Sequence, residues 1–134
     1  MPIVTSYHGT PESREALATA VDLARNTGSR VITILARRAY RGDERTATTA
    51  AQTLRELLDG EDIAFDVREA DASEEISEAV LRTAREVDAE FIVIGLRRRS
   101  PNGALAMGRN AQRILLEAPC PVVTATAPAV TGLG

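Results

Sequence analysis

Apolar residues in this chain follow two rhythms in turn. Short β-prone runs alternate with stretches in which apolar positions recur every three or four residues, the spacing of a helix with one buried face. The first run, Ile3-Val4-Thr5-Ser6-Tyr7, stops at Gly9. Thr10 then offers an oxygen to the free amides of a helix that starts at Pro11 and turns Leu17, Ala20, Val21 and Ala24 inward until Gly28 ends it. The next run, Val31 to Ala36, is too consistently apolar to have a wet face, which suits the interior of a parallel sheet. After a polar loop from Arg37 to Arg45, a helix is predicted from about Thr46 to Leu58, with Ala47, Ala50, Ala51, Leu54, Leu57 and Leu58 on its buried side.

Ile63, Phe65 and Val67 alternate with Ala64, Asp66 and Arg68, the pattern of a strand with one wetter face, and this places it at a sheet edge. The third helix carries the stripe Ile76, Ala79, Val80, Thr83, Ala84 and Val87 behind the capping candidates Asp71 and Ser73. Phe91 to Gly95 is the fourth strand, followed by an arginine-rich loop. Asn110 to Glu117 reads as the last helix, with Ile114 and Leu115 inward, and Pro121 to Ala125 as the last strand.

Strands separated by helices require right-handed crossovers. The chain is therefore predicted to be a doubly wound, three-layer α/β domain around a five-stranded parallel sheet in the order 3-2-1-4-5. Residues 1–127 form this one domain and 128–134 a loose tail. In such sheets the ligand crevice lies beyond the carboxyl ends of the strands where the order reverses, here between strands one and four. Two loops face it, Tyr7 to Pro11 and Gly95 to Gly108.

A length of 134 residues suits one such domain. With 44% hydrophobic but only 3% aromatic residues, the core must be built from Ala, Val, Ile and Leu. No apolar run approaches the roughly 18 residues of a membrane span, and the first residues lack a basic region before an apolar one, which reads as a cytoplasmic protein. Cys120 has no disulfide partner and no Cys or His neighbours suited to zinc, so it reads as a small buried residue. No metal site is expected.

The net charge is −3, and all 16 cations are arginine. Without lysine there is no P-loop lysine, no Schiff base and no phosphorylation receiver, each of which needs an amine. Net acidity, few aromatics and no tryptophan also speak against nucleic-acid binding.

Three segments in this order and spacing resemble the universal stress protein family over nearly the whole chain. They are the short strand followed by Gly9-Thr10 and a helix, the run Asp88-Ala89-Glu90-Phe91-Ile92-Val93-Ile94-Gly95, and Arg113-Ile114-Leu115 continuing through Ala118-Pro119-Cys120-Pro121-Val122-Val123. The resemblance implies an adenine nucleotide alpha hydrolase-like fold and a stress-response role without catalysis, which either holds a small anionic ligand, with ATP or another adenine nucleotide as one candidate, or works purely through protein contacts. It implies a site built from Ser6, His8, Gly9, Ala36, Gly95, Arg97, Arg98, Gly108, Arg109 and Asn110. It also implies a homodimer joined through the edge Val122-Val123-Thr124-Ala125.

This chain departs from the pattern of the family's ATP binders, G-x2-G-x9-G-[S/T]. Gly95 and Gly108 fill its first and third glycine positions, but Arg98 stands at the second, Arg109 at the Ser/Thr position, and His8 where an acidic residue is expected. A left-handed backbone at Arg98 would cost roughly 1 to 2 kcal/mol. Loss of the carboxylate at His8 forgoes hydrogen bonds worth about 1.5 to 3 kcal/mol. Arg97, Arg98, Arg99 and Arg109 compensate in charge if they gather at the amino end of the last helix, where amides favour anions. The same run read as a solvated loop merely keeps the molecule soluble.

His8 by itself reads as a loop residue bonded to backbone. Tyr7 and Tyr40 either stack on a base or cover the rim of the sheet. The alternative function, a weak nucleotide or phosphate-ester hydrolase, needs an activated water. The relevant loops offer no carboxylate pair, no metal cluster and no nucleophile with a neighbouring base.

Overall fold

The computed structural model describes residues 1–36, 44–71, 73–98 and 105–127. In chain order the elements are β1 (Ile3–Tyr7), α1 (Pro11–Thr27), β2 (Val31–Leu35), α2 (Glu44–Asp59), β3 (Phe65–Glu69), α3 (Ile76–Glu86), β4 (Phe91–Arg98), β5 (Leu105–Ala106), α4 (Arg109–Glu117) and β6 (Val122–Ala127). The parallel strands lie in the order β3-β2-β1-β4-β6, so the expected five-stranded sheet is present with β6 as its last member.

Alternation along the strands divides the core. Val4, Ile32, Ile34, Ile92 and Ile94 pack with Ala79, Val80, Ala84 and Ile114 of α3 and α4. On the other face Ile3, Val31, Val93 and Ala125 meet an alanine stripe of α1, Ala16, Ala20 and Ala24. Methyl side chains at every fourth residue let that helix lie close to the sheet. One turn round, Leu17 and Val21 reach Leu54 and Leu58 of α2 and Val67 of β3, and Tyr7 packs against this group as a rim residue.

The close approach of α1 explains Gly95. A Cβ there would lie 2.0 Å from the Glu12 carbonyl oxygen, so only glycine lets the first turn of α1 rest on β4. The first turn is itself closed by a capping box. The Ser13 amide donates to Thr10 Oγ1 at 3.3 Å, and the Thr10 amide donates to Ser13 Oγ at 3.0 Å. At the other end Gly28 adopts φ 70° and ends the helix in the left-handed conformation.

Several local expectations are corrected. β4 runs on to Arg98 and pairs antiparallel with β5, Arg97 opposite Ala106 and Arg98 opposite Leu105, so Arg97 and Arg98 are strand rather than loop residues. Arg97 also pairs with Ala127 of β6, and Ile92 pairs with both Val4 and Val122. β5 therefore shares the β1 side of β4, beyond the last β1–β4 pair, Thr5 with Val93.

Asp71 and Ser73 do not cap α3. The Asp71 carboxylate accepts from the Ser73 amide and hydroxyl in a turn of its own, and Glu75 occupies the cap position. Leu57 is 54% exposed and Leu115 39% exposed, because each lies at the margin of its helix's apolar stripe. Ile63 precedes β3, α2 begins at Glu44, and β6 spans Val122–Ala127 instead of Pro121 to Ala125. Tyr40, Arg99 and the tail 128–134 lie outside the described residues.

Candidate functional site

At Thr5 and Val93 the two central strands make their last pair, and the Thr5 hydroxyl donates to the Val93 carbonyl at 2.9 Å. Beyond it β1 hands over to α1 on one face and β4 leads to α4 on the other. A cavity of about 70 Å³ opens at this parting. Ser6, His8, Glu12 and Ser13 line it from the β1–α1 side, and Ile76, Asn110 and Ile114 from α3 and α4.

Helix starts converge here. Ser13 Oγ accepts from the His8 amide at 3.3 Å as well as from Thr10, which leaves the start of α1 internally satisfied. Asn110 Oδ1 accepts from the Ser77 amide at 3.4 Å and so helps cap α3 from α4. The start of α4 is different. Among the described residues, Gly108 holds its cap position without a side-chain hydrogen bond, at φ −76° and with nothing within 4 Å of where a Cβ would stand.

Burial pushes the His8 imidazole below its ordinary value, with the charge of Glu12 acting in the opposite direction. His8 Nε2 lies 3.5 Å from Ser6 Oγ. The sequence showed no nucleophile beside a base, and the fold brings this hydroxyl and imidazole together, at the outer limit of a hydrogen bond. Among the described residues no group of three His, Cys, Asp or Glu side chains is arranged to hold a metal ion. Glu12 Oε2 is buried and has no hydrogen-bond partner among the described residues.

Of the residues assigned to a site from the sequence, the cavity brings together Ser6, His8, Gly95 and Asn110. Gly9 lies in the adjoining turn with φ 80°, and Ala36 is buried, its amide bonded to the Tyr7 carbonyl at 3.1 Å. Arg97 is exposed on β4, and the Arg98 backbone is engaged with β5. Arg109 is 81% exposed and donates to Glu75 Oε1 at 2.7 Å, so its charge is directed to α3.

Glu12, Ser13 and Ile76 were missed. Thr10 and Ser13 stand at capping-box spacing, a signal that was present, but nothing local marks the Glu12 Oε2 atom as shielded from solvent. Cys120 packs beside the α3–α4 core, and burial raises its thiol pKa.

A doubly wound sheet with its crevice at the strand reversal, bordered by three helix starts, defines a protein of the nucleotide-binding-like α/β class. A family model described as the Universal stress protein family matches residues 1–125, and the chain belongs to that family. A universal stress protein of Mycolicibacterium smegmatis is 35% identical over 126 residues, covering 90% of this chain and 94% of that protein. The structure of a universal stress protein from Archaeoglobus fulgidus superposes with a TM-score of 0.77 at 28% identity, covering 93% of this chain and 98% of the other. A structure of the universal stress protein from the same organism in complex with dAMP gives 0.67 at 22% identity, covering 93% and 97%. Among the described residues no helix is long and apolar enough to cross a membrane.

Proposed function

We propose that this chain is a stress-response module without catalysis of its own, which holds an adenine mononucleotide at the strand reversal and works as a homodimer joined through β6. One observation carries the ligand reading. Gly108 occupies the start of α4 although neither its backbone angles nor its neighbours require glycine there. A bare backbone at an uncapped helix start leaves amides free to meet a phosphate. The dAMP complex of the Archaeoglobus fulgidus relative supports the choice of adenine.

The dimer reading rests on the free edge of β6, which pairs with β4 on one side and has no strand on its other side among the described residues. Pairing that edge with its copy satisfies a row of backbone groups. Val122, Val123, Thr124 and Ala125 would lie in the seam.

The weak base geometry supports the reading without catalysis. His8 meets Ser6 only at 3.5 Å, and among the described residues no salt bridge to a carboxylate orients its ring. Calorimetric titration of AMP should give saturable heats below about 1 mM, equivalent to about −4 kcal/mol. Flat heats would remove the nucleotide reading. Phosphate release that disappears in a His8→Ala variant would establish the hydrolase instead, and a monomeric mass by light scattering would end the dimer reading.

A further inference from the structure

Resting on the nucleotide reading, we propose that Glu12 is an internal counter-anion that limits the charge of what this site accepts, so that adenine nucleosides of low charge bind and polyphosphates are excluded. Glutamate is seldom buried without a partner, because desolvating a carboxylate is costly unless donors replace its water. Here Glu12 is half-buried, with its Oε2 shielded from solvent and without a hydrogen-bond partner among the described residues, on the wall of the cavity that Ser6, His8 and Asn110 share.

The backbone that carries Glu12 is fixed. Its carbonyl oxygen stands 2.0 Å from where a Cβ on Gly95 would be, so the turn that carries it is pressed onto β4. Three polar groups around the helix starts are also committed, while the His8 imidazole feels the charge of Glu12. Ser13 Oγ accepts from the His8 and Thr10 amides and donates to the Thr10 carbonyl at 2.9 Å. Asn110 Oδ1 is held by Ser77, and the Arg109 guanidinium is held outside by Glu75.

The carboxylate thus stands on the wall of the cavity that the starts of α1, α3 and α4 border. Each further negative charge on a ligand then meets the Glu12 carboxylate across a small cavity, where repulsion is less screened than in bulk water.

The test measures binding of adenosine, AMP and ATP, without magnesium, to the intact chain and to Glu12→Gln, which keeps the shape and removes the charge. Affinity of the unaltered protein should fall from adenosine to ATP. Glu12→Gln should gain about tenfold or more for ATP and less than about threefold for adenosine. Glu15→Gln, an exposed change on the same helix, should alter none of these ratios.

If Glu12→Gln does not fold, Glu12→Ala should show the same charge-dependent gain. Equal shifts for adenosine and ATP, or none, in the variant that folds would overturn the role of Glu12 while leaving the nucleotide reading intact. Failure of all three probes to bind either protein would overturn both.

Discussion

The two turns that meet at the strand reversal are built on opposite principles. The β1–α1 turn is finished from within: Gly9 takes the positive φ, Thr10 and Ser13 exchange hydrogen bonds, and Glu12 seals the turn against Gly95. The β4–α4 connection ends at a glycine that, among the described residues, has open space where a Cβ would stand and no side chain on its amides. One side spends its polar groups on rigidity, and the other keeps them available. A binding site needs both, a fixed wall to set geometry and an unfinished one to receive the ligand.

The two glycines of the family's loop should therefore respond oppositely to an added methyl group. At Gly95 the new Cβ collides with backbone rather than with a flexible side-chain tip. Gly95→Ala should cost about 3 kcal/mol or more, since α1 must lift from the sheet along its alanine stripe. A denaturant midpoint close to that of the unaltered protein would show that the seal between α1 and β4 is slack, and the contrast between the turns would lose its physical basis.

How far the sequence exposed this contrast depends on the range of the forces involved. The helix of Ala79, Val80 and Ala84 and the strand of Ile92, Val93 and Ile94 were legible because periodicity records which side faces a core. The strand order followed from connection rules. Three kinds of feature were hidden. The β4–β5 ladder is two residues long, below the length at which alternation carries information, and it turned an arginine run that looked like a loop partly into strand. The Arg109–Glu75 pair joins residues far apart in sequence, so an arginine aligned with the ligand position gave no sign that it was committed elsewhere. Glu12 looked like an ordinary acidic residue in a first helical turn, where such residues are usually exposed. Only its Oε2 is shielded from solvent, and its backbone rests on Gly95, more than 80 residues away.

His8 sharpens the comparison from the closed side. Burial holds its imidazole below the ordinary 6.5, so the unfolded chain takes up a proton more readily than the folded one. Its contribution to stability is complete above 6.5 and is lost as the pH falls through 6.5 towards the lower folded value. His8→Gln should flatten the acid-side slope of melting temperature against pH, between about pH 7 and about pH 5. An unchanged slope in that window would mean that the ring is well hydrated, and that the β1–α1 turn is less closed than its hydrogen bonds indicate.

The smallest effect tests the open side. Gly108 sits at a helix cap with ordinary φ, where serine offers an oxygen to the free amides and is better by a few tenths of a kcal/mol. Gly108→Ser should raise the melting temperature slightly while weakening AMP binding, because its hydroxyl occupies amides that the phosphate would otherwise use. Stability and binding moving in opposite directions is the outcome that a purely structural glycine cannot produce. A glycine kept only for the turn would lose stability on substitution, and one kept for nothing would leave AMP affinity where it was. If Gly108→Ser stabilises the fold and binds AMP as before, the unfinished wall is not where the ligand is received, and the difference between the two turns is one of rigidity alone.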